Sequence, residues 1–127
     1  MSPDGRFLVF DAKLWNSPAS VYARSLPNSG SRWQISPADG EEPHFSLDGK
    51  QVYFYKGGAL WAVPVSTAGG RMEAGVAKQL FKIELPRLLR NRIVVMPDGR
   101  LLINALTPAA ARDPVAVVIN WRRLVDR

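Results

Sequence analysis

The sequence predicts an all-β fold built from repeated units of short antiparallel strands. Three observations support this prediction: 10 Gly and 10 Pro interrupt the chain often, a tight-turn signal recurs, and strand-like apolar runs follow each turn. Hydrophobic residues make up 46% and charged residues 22% of the 127 residues. These fractions are close to the globular average and exclude a wholly disordered chain, and the length fits one domain.

The turn signal occurs three times, and its spacing defines the repeat. It is found at Ser2–Arg6, Ser46–Lys50 and Met96–Arg100, with the Asp residues 44 and then 50 positions apart. In such a turn, Asp accepts a hydrogen bond from the backbone two residues on, and Gly adopts a positive φ. Each signal therefore predicts a hairpin between two strands.

Strand-like runs before and after each turn complete a unit of about four strands over roughly 40–50 residues, which is the period of a β-propeller blade. With strands labelled A to D from the axis outward, the chain reads B-C-D, A-B-C-D and A-B-C, in blade units of about 1–45, 46–95 and 96–127. The predicted fold is a partial β-propeller of about three four-stranded antiparallel blades, half of a six-bladed ring. The alternative is a plain antiparallel sandwich with accidental Asp-Gly turns. The runs are Phe7–Phe10, Val21–Ala23, Trp33–Ile35, Pro43–Phe45, Val52–Tyr55, Leu60–Val63, Gln79–Phe81, Ile93–Val95, Leu101–Ile103 and Val115–Trp121.

The Ser-Pro-Asp-Gly-Arg turn with its following strand resembles the TolB-type β-propeller repeat. A closer match comprises residues 40–50, Leu60–Val65, Gln79–Phe81 and Met96–Arg100, and it ends at Val117–Trp121. These segments are similar to the C-terminal end of large TolB-like propeller proteins of soil bacteria, many of which are fused to Ser/Thr kinase or winged-helix domains. The resemblance implies a six-bladed propeller in those proteins and a sensory or interaction role for this region.

This strand order leads us to expect a chain that starts inside a blade and carries about half of a ring. Half a ring exposes apolar blade faces and unpaired strand edges. The terminal units carry Phe7, Phe10, Ile103 and Trp121, which are not the polar caps that terminal repeats normally need. We therefore expect self-association into a homodimer that closes a six-bladed ring by twofold symmetry.

The single His of the chain lies on a predicted inner strand. Strand alternation places Glu42, His44 and Ser46 on one face. Glu42 and His44 are candidate catalytic residues, as an acid/base pair lining the channel. The alternative is that His44 packs between blades and Glu42 pairs with an Arg. Ser46 is not expected to be a nucleophile, because the sequence has no Gly-x-Ser-x-Gly elbow.

A binding or scaffold module is the predicted function, and a small calcium-dependent hydrolase is the alternative. Six-bladed lactonases hold calcium at the channel mouth with Glu, Asn and Asp from inner strands. Here Glu41, Glu42, Asn91 and Asn104 are residue types that calcium accepts. A bound calcium would polarise a lactone or ester carbonyl, with His44 as the proton shuttle. This alternative rests on fold analogy, since no lactonase motif is matched.

Positive charge is concentrated toward the C-terminus. Lys and Arg total 17 against 11 acids, a net charge of +6, and eight of the 12 Arg lie from residue 87 onward. The segment Leu85–Arg92 has Leu at i, i+3 and i+4, which predicts about one helical turn between blades. Arg87, Arg90 and Arg92 are candidates to bind an acidic protein or a small-molecule ligand such as a phosphate. No nucleic-acid reader motif accompanies the charge, which argues against nucleic acid.

Cysteine is absent from the sequence, which excludes disulfides and thiolate metal sites. The first residues form a turn sequence instead of a signal peptide, and no apolar run approaches the roughly 20 residues of a membrane span. We therefore expect a cytoplasmic location without membrane insertion, although proteins of the resembling type can be exported. Among the aromatic residues, Trp15 is expected to be the most exposed, because it lies in the connection between the first two predicted strands.

Overall fold

The computed structural model is all-β, as the sequence predicts, and its strands form three antiparallel sheets. Within the part of the chain described, no helix is long and apolar enough to cross a membrane. The structure describes residues 1–13, 15–26, 32–36, 39–67, 69, 71–86, 92–105 and 115–119, the last of these ranges and residue 105 by backbone alone. The strands are β1 Phe7–Ala12, β2 Ser20–Ser25, β3 Arg32–Gln34, β4 Glu41–Phe45, β5 Gln51–Lys56, β6 Ala59–Ser66, β7 Glu73–Ala74, β8 Lys78–Lys82, β9 Ile93–Val95, β10 Leu101–Ala105 and β11 Val115–Ile119.

The sheets follow one another along the chain. Sheet I has the order β1-β2-β3, and sheet III has the order β11-β10-β9. In sheet II the order is β4-β5-β6, with both β7 and β8 paired to β6. Each predicted strand run that the structure describes overlaps one of these strands.

The three turn signals form the predicted Asp-Gly turns. Gly5, Gly49 and Gly99 have φ angles of 73°, 72° and 86°, which glycine adopts without steric cost. In the first turn, Ser2 Oγ donates to Asp4 Oδ1 at 2.7 Å and accepts from the Phe7 backbone N–H at 3.0 Å. The Ser2 hydroxyl, helped by the backbone N–H of Arg6, lowers the pKa of Asp4.

The second and third turns show what the serine contributes. Ser46 Oγ donates to Asp48 Oδ1 at 2.6 Å and accepts from the Gln51 N–H at 3.1 Å, repeating the first turn. In the third turn, Met96 occupies the serine position, and the Arg100 guanidinium binds Asp98 Oδ2 at 2.6 Å instead. The Asp-Gly turn therefore closes without the serine, but the serine ties it to the following strand.

Sheet II is buried on both faces, and successive residues of its strands point to opposite faces. Val52 and Phe54 of β5 belong to one apolar cluster, which also contains Phe7, Val9 and Val21 of sheet I and fills the space between sheets I and II. Tyr53, Leu60 and Ala62 belong to a second cluster with Leu85, Ile93, Leu101 and Ile103, which fills the space between sheets II and III. The sheets therefore stack face to face in chain order, with two separate cores.

We predict that Ser46→Ala lowers the free energy of unfolding by about 1–2 kcal/mol, because it removes a buried donor and acceptor at once. The matched control is Ser66→Ala at an exposed position of β6, which should change stability little. Urea unfolding followed by far-UV circular dichroism measures both variants. Equal stabilities for the two variants would show that the serine does not tie the turn to its strand.

Candidate functional site

Antiparallel order gathers ionisable residues at one edge of the sheets. The Asp-Gly turns lie at one end of the strands. At the opposite end, β1 ends, β4 begins, β5 ends and β9 begins. We call this opposite end of the strands the distal edge. Asp11 near the end of β1, Glu41 and Glu42 at the start of β4, and Arg92 just before β9 all lie there. β4 contacts β1 on one side and β9 on the other.

Arg92 is the centre of the polar contacts at the distal edge. Glu42 Oε1 accepts from both the backbone N–H and the Nε of Arg92, each at 3.0 Å. The two terminal guanidinium nitrogens donate to Glu41 Oε1 and to the Pro86 carbonyl, also at 3.0 Å. The guanidinium lies over the Tyr55 ring at 5.4 Å. Arg92 is only 7% exposed, and these partners compensate for the cost of burying its charge.

The backbone of Glu42 also forms a hydrogen bond with sheet I. Its φ is 52°, a left-handed conformation that is uncommon for a residue other than glycine. Its N–H donates to Asp11 Oδ2 on β1 at 2.8 Å, and the pairing of β4 with β5 shifts register between Glu41 and His44. We refer to Asp11, Glu42 and Arg92 as the three-sheet junction, because they lie on sheets I and II and at the start of sheet III.

Opposing effects act on the pKa values of Glu42 and Arg92. Burial by itself raises the pKa of Glu42, but His44 and the backbone and guanidinium of Arg92 lower it, and the net pKa lies below its ordinary value. Burial likewise disfavours the charged form of Arg92, while Glu41 and Glu42 raise its pKa above the ordinary value. Both groups are therefore charged at neutral pH.

The structure brings the two predicted catalytic residues together. His44 Nε2 lies 3.8 Å from Glu42 Oε2, and both atoms are buried without a hydrogen-bond partner. His44 lies opposite Tyr53 of β5. The predicted alternative for Glu42, pairing with an Arg, is observed in its ion pair with Arg92.

The predicted calcium ligands are partly occupied by other contacts. One oxygen of Glu41 and one of Glu42 bind Arg92, and Asn91 lies outside the described residues. The backbone N–H of Asn104 donates to the Arg92 carbonyl at 2.8 Å, a contact that does not involve the side-chain oxygen that calcium would use. Among the residues that the structure describes, no group of three or more His, Cys, Asp or Glu side chains could hold a metal ion.

The basic segment before β9 is described only at its two ends. Arg87 and Arg90 lie outside the described residues, as does most of the predicted helical turn. Arg92, expected to face an acidic partner, is buried and satisfied by groups of its own chain. Asp11 was not singled out by the sequence, because nothing near it in the chain indicates its contact with Glu42, 31 residues away.

Chemically, the distal edge offers fixed ion pairs and one imidazole beside a carboxylate. The oxygen of Glu42 that faces His44 carries a charge already shared with Arg92, which weakens it as a base. The arrangement is suited first to holding sheets together. Comparison with models of known protein families, with curated proteins and with solved structures returns no match.

We predict that Arg92→Leu lowers the free energy of unfolding by about 3 kcal/mol or more, because it leaves the largely buried Glu42 carboxylate, whose side chain is 14% exposed, without its cation. The matched control is Arg100→Leu, which breaks the exposed ion pair with Asp98 and should have little effect. Urea unfolding at pH 7 compares the variants. A loss for Arg92→Leu no larger than that of the control would contradict the assigned role.

Glu42→Gln should make stability less dependent on pH at acidic values. Because folding lowers the pKa of Glu42, its ionic contribution is complete above the unfolded pKa of about 4.3 and disappears as pH falls through the folded value. The stability difference between wild type and Glu42→Gln should therefore be large at pH 7 and shrink below about pH 4. Urea midpoints measured across this range test it, and a difference that stays constant with pH would contradict it.

Proposed function

We propose that the chain is a TolB-like β-propeller module of about three blades that serves in binding or as a scaffold. The observation that carries this proposal is the repeated stacking: sheet II is covered on both faces, by sheet I and by sheet III. In a propeller every blade is packed in this way between two neighbours. The face-to-face order along the chain supports a ring segment over a two-sheet sandwich.

Sheet I has an outer face that carries apolar side chains. Residues on β1 alternate, so that Phe7 and Val9 are buried toward sheet II while Leu8 and Phe10 are half-buried on the other side. The Phe10 ring lies 6.0 Å from that of Tyr22 on β2. Leu8 and Phe10 belong to neither of the two apolar clusters formed by the described residues.

Sheet III has a similar outer face. Leu101 and Ile103 are buried toward sheet II, whereas Leu102 of β10 is half-buried on the opposite side. Its register partner Val94 on β9 is 46% exposed. Faces of this kind on both end sheets are what a segment of a ring presents to its neighbouring blades.

We propose that a second copy covers these faces. Under twofold symmetry, the outer face of sheet I from each copy packs on the outer face of sheet III from the other, which closes a ring of six sheets. This arrangement buries Phe10 and Leu102 in two equivalent interfaces.

A binding role fits the distal edge better than calcium-dependent hydrolysis. A calcium ion bound to Glu41 and Glu42 would lie close to the Arg92 guanidinium, which already binds one oxygen of each carboxylate. Repulsion between the two cations, and competition for the same carboxylates, disfavour calcium there. Within a binding role, the net charge of +6 favours acidic protein partners by long-range attraction.

In solution, we expect light scattering to give twice the mass of one chain at micromolar concentration. Phe10→Glu and Leu102→Glu should each shift the protein toward the monomer, because a charge at a buried interface is strongly disfavoured. The control is Leu47→Glu, at an exposed position on the second Asp-Gly turn, which should leave the dimer intact. A monomeric wild type, or dimers that persist in both face variants, would refute the ring.

A further inference from the structure

A cavity of about 140 Å³ opens at the distal edge between sheets I and II. Three chain segments form it: the connection from β1 to β2, the residues entering β4, and the turn from β5 to β6. Since one water occupies about 30 Å³ of liquid, the cavity has room for about five waters, or for one small ring. It is lined by Pro18, Ala19, Asp39, Gly40, Glu41, Tyr55, Lys56 and Gly57.

The charges that line this cavity are already paired. Asp39 Oδ1 lies 3.2 Å from Lys56 Nζ, and Glu41 Oε1 lies 3.0 Å from the guanidinium of Arg92. A charged ligand would gain little net attraction from these groups, because each pair is close to neutral as a whole. A neutral ligand with several hydroxyl groups can instead donate to the carboxylates and accept from Lys56 while both pairs stay closed.

An exposed aromatic side chain lies close to the cavity along the chain. Trp15 is 92% exposed, as the sequence predicts, and it precedes the cavity residue Pro18 by three positions, so that their Cα atoms lie within about 11 Å. An indole of this kind offers a flat apolar face beside polar groups, which suits a ligand with both C–H and O–H surface.

A protein partner fits this surface less well than a small ligand. Protein interfaces depend on a cluster of buried apolar anchors. Among the residues that the structure describes, the other large apolar side chains with high exposure belong to other segments of the chain: Met1, Leu47, Val76 and Val94. None of them belongs to the segment that carries Trp15, which favours a small ligand over a protein at this surface.

We propose that this cavity and Trp15 form a binding site for a neutral polyhydroxylated ring, such as a sugar residue. The site deepens the proposed binding function by naming its ligand class. The ring stacks on Trp15 and its hydroxyl groups enter the cavity between Asp39 and Lys56. It uses residues of a single chain, so it does not depend on ring closure.

Titration calorimetry and ligand-observed NMR with D-glucose, D-galactose, D-mannose and cellobiose test the proposal on the full chain. We expect saturable binding of at least one probe in the millimolar range or tighter. Tighter binding of cellobiose than of any monosaccharide would identify a chain of linked sugars as the ligand source, and the reverse would identify a free sugar. Trp15→Ala should weaken binding by at least about tenfold, while Val76→Ala, which removes another exposed apolar side chain, should leave it unchanged.

A second pair of variants probes the cavity itself. Gly57 and Gly58 form the turn between β5 and β6, with φ angles of 58° and 77°, and Asn tolerates this conformation. Gly57→Asn puts a side chain at the rim of the cavity and should weaken binding at least about tenfold, whereas Gly58→Asn, beside the cavity lining, should not. Circular dichroism checks that both variants fold. Asp39→Asn leaves the turn unchanged and should also weaken binding, because it removes the charged acceptor beside Lys56.

The proposal fails if none of the sugars binds, or if binding survives both Trp15→Ala and Gly57→Asn. It also fails if methylammonium, a small cation that carboxylates attract, binds and the sugars do not. The mass of the protein in solution is measured separately. A dimer that binds no sugar overturns this site and leaves the proposed assembly standing. A monomer that binds sugars overturns the assembly and leaves this site standing.

Discussion

The fold depends on one residue of sheet II, Glu42, which contacts sheet I through its backbone and the start of sheet III through its carboxylate. Glu42 donates its backbone N–H to Asp11 on sheet I and accepts from the backbone and guanidinium of Arg92 at the start of sheet III. Burying the Glu42 carboxylate or the Arg92 guanidinium without the other would be costly. The left-handed backbone of Glu42 costs of order 1–3 kcal/mol, which persists only because the surrounding hydrogen bonds and packing offset it.

The apolar cores explain why such a junction is needed. Sheet II separates the two cores, since alternate residues of β5 point to opposite sides and contribute to different clusters. Sheets I and III therefore share no core, and sheet II is the body that both pack against. Hydrophobic burial is non-directional, so it does not by itself fix the relative position of neighbouring sheets. The directional bonds from Asp11 and Arg92 to Glu42 oppose sliding at the edge where all three sheets meet.

Much of the fold could be predicted from the sequence because its signals are local. The three Asp-Gly turns depend on residues within five positions of one another, as the bonds of Ser2 and Ser46 show. The strands follow from alternation between these turns. The closeness of Glu42 and His44 does not follow from alternation alone, because the register of β4 shifts between Glu41 and His44.

The contacts of the candidate site are less predictable because they are distant in the chain. Glu42 and Arg92 are separated by 50 positions, and no local pattern distinguishes Arg92 from the neighbouring arginines that were grouped with it. The left-handed backbone of Glu42 has no sequence signal either, since it follows from the register shift in β4. The prediction of a calcium site at these carboxylates rests on residue types and fold analogy, and neither of them indicates that a buried Arg92 binds both carboxylates.

The central claim is that Glu42 couples sheet I to sheet III, and a double-mutant cycle between Asp11 and Arg92 tests it most directly. Both residues bind Glu42, and they lie on different sheets. If Glu42 transmits the effect, Asp11→Ala and Arg92→Leu together should cost at least about 1 kcal/mol less than the sum of the single losses. If the losses add to within about 0.5 kcal/mol, the two contacts act independently and the sheets are not coupled through Glu42.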